Sequence, residues 1–320
     1  MTQNDADALF TSSVADTSSP AQTSTDSPLE EVVEELLSLD PNGTRTASVF
    51  RSTFDQLYDG QRTGRYKWDQ LFKTEKTHFG TLIEINLQRE FKFNDGKLLD
   101  YRIRGHEVDS KYSATGQWML PPESHGQLVL GSIASDKESK WSMGLIRVNP
   151  GNLRLGTNRD KKGGLSLAGR NRIRWIYRNA PLPPNTLLQL CDSDVTKIMG
   201  HRSGQRRVNE LFRIATNRRI SRNVVATVAQ QDDFMKRVRD NGGARSNLRP
   251  EGYIILGGDY SRQRELARAL GGVIPEPGEF VSHRVGPVDY AAPNSVELDG
   301  QLWTVQESGR NVSAPAIPPR

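Results

Sequence analysis

The chain has 320 residues, enough for two domains, and a single cysteine, Cys191, so no internal disulfide can form and a reducing, cytoplasmic setting is expected. Its formal net charge is +5 and no apolar run approaches the length of a membrane span, so a membrane protein is not expected and a polyanionic partner is. The five histidines lack zinc-ligand spacing and no Gly-x₄-Gly-Lys-Ser/Thr loop is present, so neither zinc nor ATP-driven work is expected.

Met1–Pro28 holds eleven Ser or Thr, four Asp and no Lys or Arg. Such a stretch cannot bury enough apolar surface to offset its ordering entropy and reads as a disordered tail. Leu29–Leu39 then predicts an amphipathic helix, with Leu29, Val32, Val33, Leu36 and Leu37 on one stripe, ended by Asp40-Pro41-Asn42-Gly43. A second helix is expected over Thr46–Tyr58. Its end, Leu57-Tyr58-Asp59-Gly60-Gln61-Arg62, resembles the Lys-x-Asp-Gly-x-Arg signature of DNA ligases. Leu57 stands where the adenylated lysine would be, so no covalent adenylate can form. Tyr66–Glu90 reads as mostly helical and carries Glu84 among apolar residues, on a solvated face or aimed at a site behind the helix.

Asp100–Lys111 is the most informative stretch. Tyr101, Ile103 and Val108 alternate with polar residues, and Gly105 suits the bend of a hairpin. Asp109 and Lys111, two apart, share one face of a strand, and Asp100 lies upstream across the bend. One hairpin can thus present two carboxylates and an ammonium at one point. Those are the parts for hydrolysing a phosphodiester with Mg²⁺; the same spacing also arises in ordinary charged strands.

Gln117–Gly126 reads as a loop, Gln127–Ala134 and Trp141–Val148 as strands, and Leu165–Arg178 as a helix with an arginine face. Strands flanked by helices make an α/β (α+β) sheet domain. Asn179–Asn185, with three prolines, is the expected linker. Beyond it, residues 201–250 hold twelve Arg or Lys against four Asp or Glu. Helices are expected over Gln205–Thr216, at Val224–Ala229 and over Gln231–Asp240, followed by a strand at Tyr253–Leu256. That is the order of a winged helix-turn-helix whose basic third helix enters the major groove. Its candidate DNA contacts are Arg206, Arg207, Arg222, Lys236, Arg237, Arg239, Arg245 and Arg249. Ser261–Leu270 reads as a further helix, Val281–Val288 and Gln301–Gln306 as strands, and Asn311–Arg320 as a tail.

Several blocks resemble the NaeI restriction endonuclease family of type IIE enzymes. They are Thr53-Phe-Asp-Gln-Leu-Tyr-Asp-Gly-Gln-Arg-Thr-Gly-Arg-Tyr66, Trp118-Met-Leu-Pro-Pro-Glu-Ser124, Ala226-Thr-Val-Ala-Gln-Gln-Asp-Asp-Phe-Met-Lys-Arg-Val-Arg239, Gly242-Gly-Ala-Arg-Ser246 and Leu248-Arg-Pro-Glu-Gly252. The resemblance implies a PD-(D/E)xK endonuclease domain over residues 29–180 and a DNA-binding domain with a CAP-like helix-turn-helix over 181–310. It places the catalytic roles on Glu84, Asp100, Asp109 and Lys111. Mg²⁺ would be held by Asp100 and Asp109, with Glu84 and the Ser110 carbonyl in support. It further implies a homodimer cutting double-stranded DNA at GCCGGC, with a second DNA copy as effector. The competing class is a sequence-specific DNA-binding regulator without nuclease activity. A breakage-and-rejoining enzyme is disfavoured by Leu57.

Overall fold

Asp26 accepts the Leu29 N–H at 3.2 Å and caps α1 (Ser27–Leu39), with Pro28 in the first turn, where a missing N–H costs nothing. The computed structural model describes residues 26–156, 158–159, 161–306 and 312–317. The expected tail therefore ends sooner than Pro28. Asp26 caps the helix, Ser27 and Pro28 are helical, and residues 1–25 lie outside the described residues. Leu29, Val32, Val33 and Leu36 are buried along one stripe of α1, as the spacing predicts.

The described chain divides into two compact units of mixed α/β structure. The first comprises the chain up to Leu57 together with Phe72–Pro183. It contains α1, α2 (Thr44–Tyr58, up to Leu57), α4 (Lys73–Phe91), α5 (Leu167–Asn171) and six strands. These are β1 (Asn94–Asp95), β2 (Tyr101–Ile103), β3 (His106–Tyr112), β4 (Leu128–Ser135), β5 (Lys140–Arg147) and β6 (Arg174–Pro181), neighbours in that order in one sheet. All neighbours pair antiparallel except β3 and β4, which are parallel.

Side chains alternate across the sheet, so its two faces can be read from the register. Tyr112, Leu130, Met143 and Trp141 lie on the face that α1, α2 and α4 cover. Phe50 meets Trp141 at 5.4 Å between ring centroids, and Phe79 of α4 meets Tyr112 edge-on at 4.7 Å. Phe79, Ile83, Leu87 and Phe91 are buried along α4, and each such side chain contributes about 2 kcal/mol of hydrophobic stabilisation. The opposite face carries Asp109 and Lys111 on β3, Val129 and Gly131 on β4, and Ile146 on β5. Trp118, Leu120 and Leu165, from the loops around 113–127 and 148–173, close over Val129 and Ile146.

The helix expected over Leu165–Arg178 forms only as the short α5, and β6 begins at Arg174. Trp175, Ile176 and Tyr177 favour strand, and pairing with β5 outweighs the helical spacing of the arginines.

The second unit comprises Tyr58–Leu71 and Pro184–Arg320, of which the described residues form α3 (Gly60–Thr63), α6 (Asp192–Met199), α7 (Gly204–Ile214), α8 (Arg222–Ala229), α9 (Ala244–Leu248) and α10 (Ser261–Ala269). Its sheet is built from β7 (Ile220–Ser221), β8 (Tyr253–Gly257), β9 (Glu279–Val288), β10 (Val296–Leu298) and β11 (Gln301–Val305). Val208, Leu211, Phe212, Val225, Val228, Leu248 and Ile255 form its core.

Two expectations are corrected here. Tyr58–Leu71, expected within the first domain, belongs to the second unit. Gly60 lies against Thr227 of α8 so closely that a Cβ would overlap the Thr227 side chain, and Asn185 donates from Nδ2 to the Tyr66 carbonyl at 2.9 Å. The basic helix expected over Gln231–Asp240 is reduced to a 3₁₀ turn at Phe234–Arg237. Gln230, at φ +51°, ends α8 in a left-handed residue, and Arg237 folds back on Asp233 at 2.9 Å. Among the described residues no helix is long and apolar enough to cross a membrane.

Candidate active site

The hairpin forms as the sequence predicts. Arg104 and Gly105, both at positive φ, make the two-residue bend, and Tyr101 pairs with Val108. Glu107 fixes what precedes it. Its carboxylate accepts the N–H groups of Lys97, Leu98 and Leu99 at 2.9–3.1 Å, which shapes the turn leading into Asp100 and holds the Glu107 carboxyl below its usual range. Asp100 Oδ2 then accepts the Ser110 N–H at 2.7 Å, tying the upstream carboxylate to β3.

Lys111 Nζ lies 2.5 Å from Asp109 Oδ1 and 3.8 Å from Asp100 Oδ2, and it also donates to the Ser110 carbonyl at 3.0 Å. The two carboxylates and the ammonium therefore converge at one point. Asp109 is buried, and burial pushes its carboxyl pKa up against the pull of Lys111. Its Oδ2 is buried with no hydrogen-bond partner among the described residues. An unsatisfied buried carboxylate oxygen is costly, and a hard divalent cation is the species that relieves it. The oxygen donors of Asp100, Asp109 and the Ser110 carbonyl suit Mg²⁺ rather than zinc.

Glu84 reaches the same cluster from a different element. It sits on α4 one residue beyond the buried Ile83, and Tyr101 anchors the helix there by donating its hydroxyl to the Glu84 carbonyl at 2.8 Å. Its pKa is raised, first by desolvation and then by the charge of Asp100. Among the described residues no three His, Cys, Asp or Glu side chains form a metal-holding cluster. Glu84, expected to support the site through a water or a second ion, feels the charges of Asp100, Asp109 and Lys111. The sequence reading missed Glu107 and Trp118. Glu107 could have been suspected from its place opposite Asn94–Leu99 across the bend; Trp118 gives no local signal.

The eight basic residues singled out in the second unit fall into two groups. Arg207 donates to the carbonyls of Val228, Ala229, His201 and Arg202. Arg245 donates to the Ile255 carbonyl and Gln263. Arg237 holds Asp233, Arg222 holds Asp259 at 2.7 Å, and Arg249 holds the Ala314 carbonyl at 2.9 Å. Arg206 and Arg239 are exposed with no side-chain partner among the described residues, and Lys236 is exposed with a loose ion pair to Asp233 at 3.5 Å.

Two carboxylates and a lysine gathered at the β2–β3 hairpin of a mixed sheet, in a chain with a basic second unit, fit a hydrolase that acts on a nucleic acid. The chain belongs to the NaeI restriction endonuclease family. The family model described as restriction endonuclease NaeI matches residues 30–314. The type II restriction enzyme NaeI of Lentzea aerocolonigenes is 50% identical over 304 residues, covering 92% of this chain and 95% of that protein. The protein is a type II site-specific deoxyribonuclease acting on double-stranded DNA.

Proposed function

We propose that this restriction endonuclease cleaves through a PD-(D/E)xK site made of Glu84, Asp100, Asp109 and Lys111, where the aspartates would hold Mg²⁺. The buried, unpartnered Asp109 Oδ2 beside Lys111 carries this reading. When bound, the ion supplies positive charge that polarises the scissile phosphate and acidifies water. Asp100 and Asp109 would hold it, with the Ser110 carbonyl a further oxygen donor beside them. Lys111 orients the attacking water and offsets negative charge building on the phosphate. Glu84 would support the site through a water or a second ion, its charge coupled to those of Asp100 and Asp109. Attack in line leaves a 5′ phosphate.

The second unit is read as a DNA-binding domain of winged helix-turn-helix type. The order α7, β7, α8, α9, β8, β9 supports it, with the segment between α8 and β8 as the groove-facing element. By family likeness the target is GCCGGC, the working form is a homodimer whose twofold axis matches the palindrome, and a second DNA copy is an effector.

Cleavage of a plasmid bearing the site, with Mg²⁺ against EDTA, for wild type and Lys111→Ala, tests the assignment. Loss of cleavage with DNA binding retained is expected. Undiminished cleavage by Lys111→Ala overturns it.

A further inference from the structure

The first unit carries a charged surface that the second unit's basic stretch had overshadowed. Residues 150–172 include Arg154, Arg159, Lys161, Lys162, Arg170 and Arg172 against the single Asp160. That one stretch has a net charge equal to that of the whole chain. Arg154, Arg159, Lys161, Lys162 and Arg172 are exposed, and none of the six forms an ion pair with a described carboxylate. The contrast with the second unit is plain. There Arg213, Arg219, Arg222 and Arg237 each hold a carboxylate of their own fold.

This stretch is built onto the catalytic strands. Lys111 pairs in register with Gly131 across the parallel β3–β4 ladder. Gly131 has no side chain, and the Trp118 indole fills the space; a Cβ there would stand 2.5 Å from the ring. Trp118 Nε1 donates to the Ser132 carbonyl at 3.0 Å. Leu120 and Gly163 exchange backbone hydrogen bonds at 2.8 and 2.9 Å, and Leu153 bridges Leu165. Trp118, Leu120 and Leu165 pack on Val129 and Ile146, on the sheet face that bears Asp109 and Lys111. The lobe is thus fixed beside the catalytic pair and on its side of the sheet.

Its polar tips converge. Gln117, Met119, Arg154 and Arg170 line one notch. Arg154 Nε donates to the Leu165 carbonyl at 3.0 Å, which holds the guanidinium, and its other nitrogens have no partner among the described residues. Arg170 Nε is buried without a partner among the described residues. A held guanidinium is the group that reads a guanine edge through O6 and N7, and exposed lysines neutralise phosphates.

We infer that the lobe formed by residues 113–127 and 148–173 is a DNA-gripping element of the catalytic unit itself, with Lys161 and Lys162 on phosphates and Arg154 and Arg170 on base edges. The inference rests on the nuclease reading above and adds where the cleaved duplex is held.

The test uses the full chain and a duplex carrying one target copy. Lys161→Gln/Lys162→Gln removes two exposed charges that form no ion pair with a described carboxylate. Arg154→Gln/Arg170→Gln removes the proposed readers. The lysine pair is expected to lower kcat/KM at least tenfold and to reduce the slope of log(kcat/KM) against log[salt] by about 2. The arginine pair is expected to lower kcat/KM on the target at least a hundredfold, and to lower it less on duplexes changed by one base pair. Wild-type kcat/KM and salt slope in the lysine pair, whose fold is undisturbed, overturns the inference. Lys111→Ala run alongside separates the two readings. If it still cuts, the catalytic assignment fails; if it does not cut while both lobe variants behave as wild type, only the lobe assignment fails.

Discussion

Lys111 and Gly131 face one another across the parallel β3–β4 pair, and the Trp118 indole occupies the space that a side chain at Gly131 would take. Lys111 and the loop 113–127 therefore share one support. Gly131→Ala should displace the indole, destabilise the protein by about 1–3 kcal/mol and lower cleavage well beyond the loss of folded protein. Thermal unfolding and cleavage measured on the same preparation check this. A variant with normal turnover would mean that Trp118 serves packing alone.

Asp109 is held ionised at a cost. Burial raises its pKa more than Lys111 lowers it, so the neutral form suits its surroundings better. Asp109→Asn should abolish cleavage while stabilising the metal-free protein by about 1–2 kcal/mol at neutral pH. A carboxyl raised in the fold contributes more stability as pH falls through its folded value, so the advantage of the Asn variant should shrink on acidification. Unfolding midpoints in EDTA at pH 5 and pH 8 give the comparison, and a less stable variant at pH 8 counts against the argument.

His283 on β9 is buried, both ring nitrogens lack partners among the described residues, and burial lowers its pKa to about 4. The unfolded chain, with an ordinary histidine near 6.5, binds a proton that the fold refuses. Stability from this residue is complete above the unfolded value and is lost as pH falls from there toward the folded one. At pH 5 the loss is about 2 kcal/mol. His283→Leu should reduce the difference in stability between pH 7 and pH 5 by that amount, whatever its stability at pH 7. An unchanged difference refutes the assignment.

Arg206 and Arg207 are adjacent in sequence and differ in role. Arg207 binds four backbone carbonyls, two of them at the end of α8. Arg207→Ala should cost about 2 kcal/mol through buried acceptors left unpaired. Arg206→Ala should leave stability within about 0.5 kcal/mol and weaken binding to any DNA sequence alike. Chemical denaturation and binding measured at several salt concentrations distinguish them.

The hairpin was legible because its signals are local: alternation over Tyr101, Ile103 and Val108, and a glycine at the bend. The carboxylate pair followed from spacing once the strand was known. What stayed hidden depends on distant partners. Trp175 and Tyr177 become strand because β5 lies beside them, and Gly60 packs in the second unit because only a residue without a side chain fits against Thr227. Sequence cannot tell which of the charges in residues 201–250 serve the fold, as Arg207 and Arg245 do by donating to carbonyls inside it. The turn at Phe234–Arg237 replaced a helix because the left-handed Gln230 and the Asp233–Arg237 pair reset the backbone there.

Tyr58–Leu71 leaves the first unit after Leu57, completes the second, and returns at Phe72. The polypeptide passes from one unit to the other three times, not once. A protease nick near Pro183 would therefore not release two self-sufficient halves: the downstream fragment would lack residues that cover α8, and the upstream fragment would carry them with nothing to cover. Dissection by truncation should yield poorly folded pieces, whereas grafting Tyr58–Leu71 onto the downstream half restores what a simple cut removes.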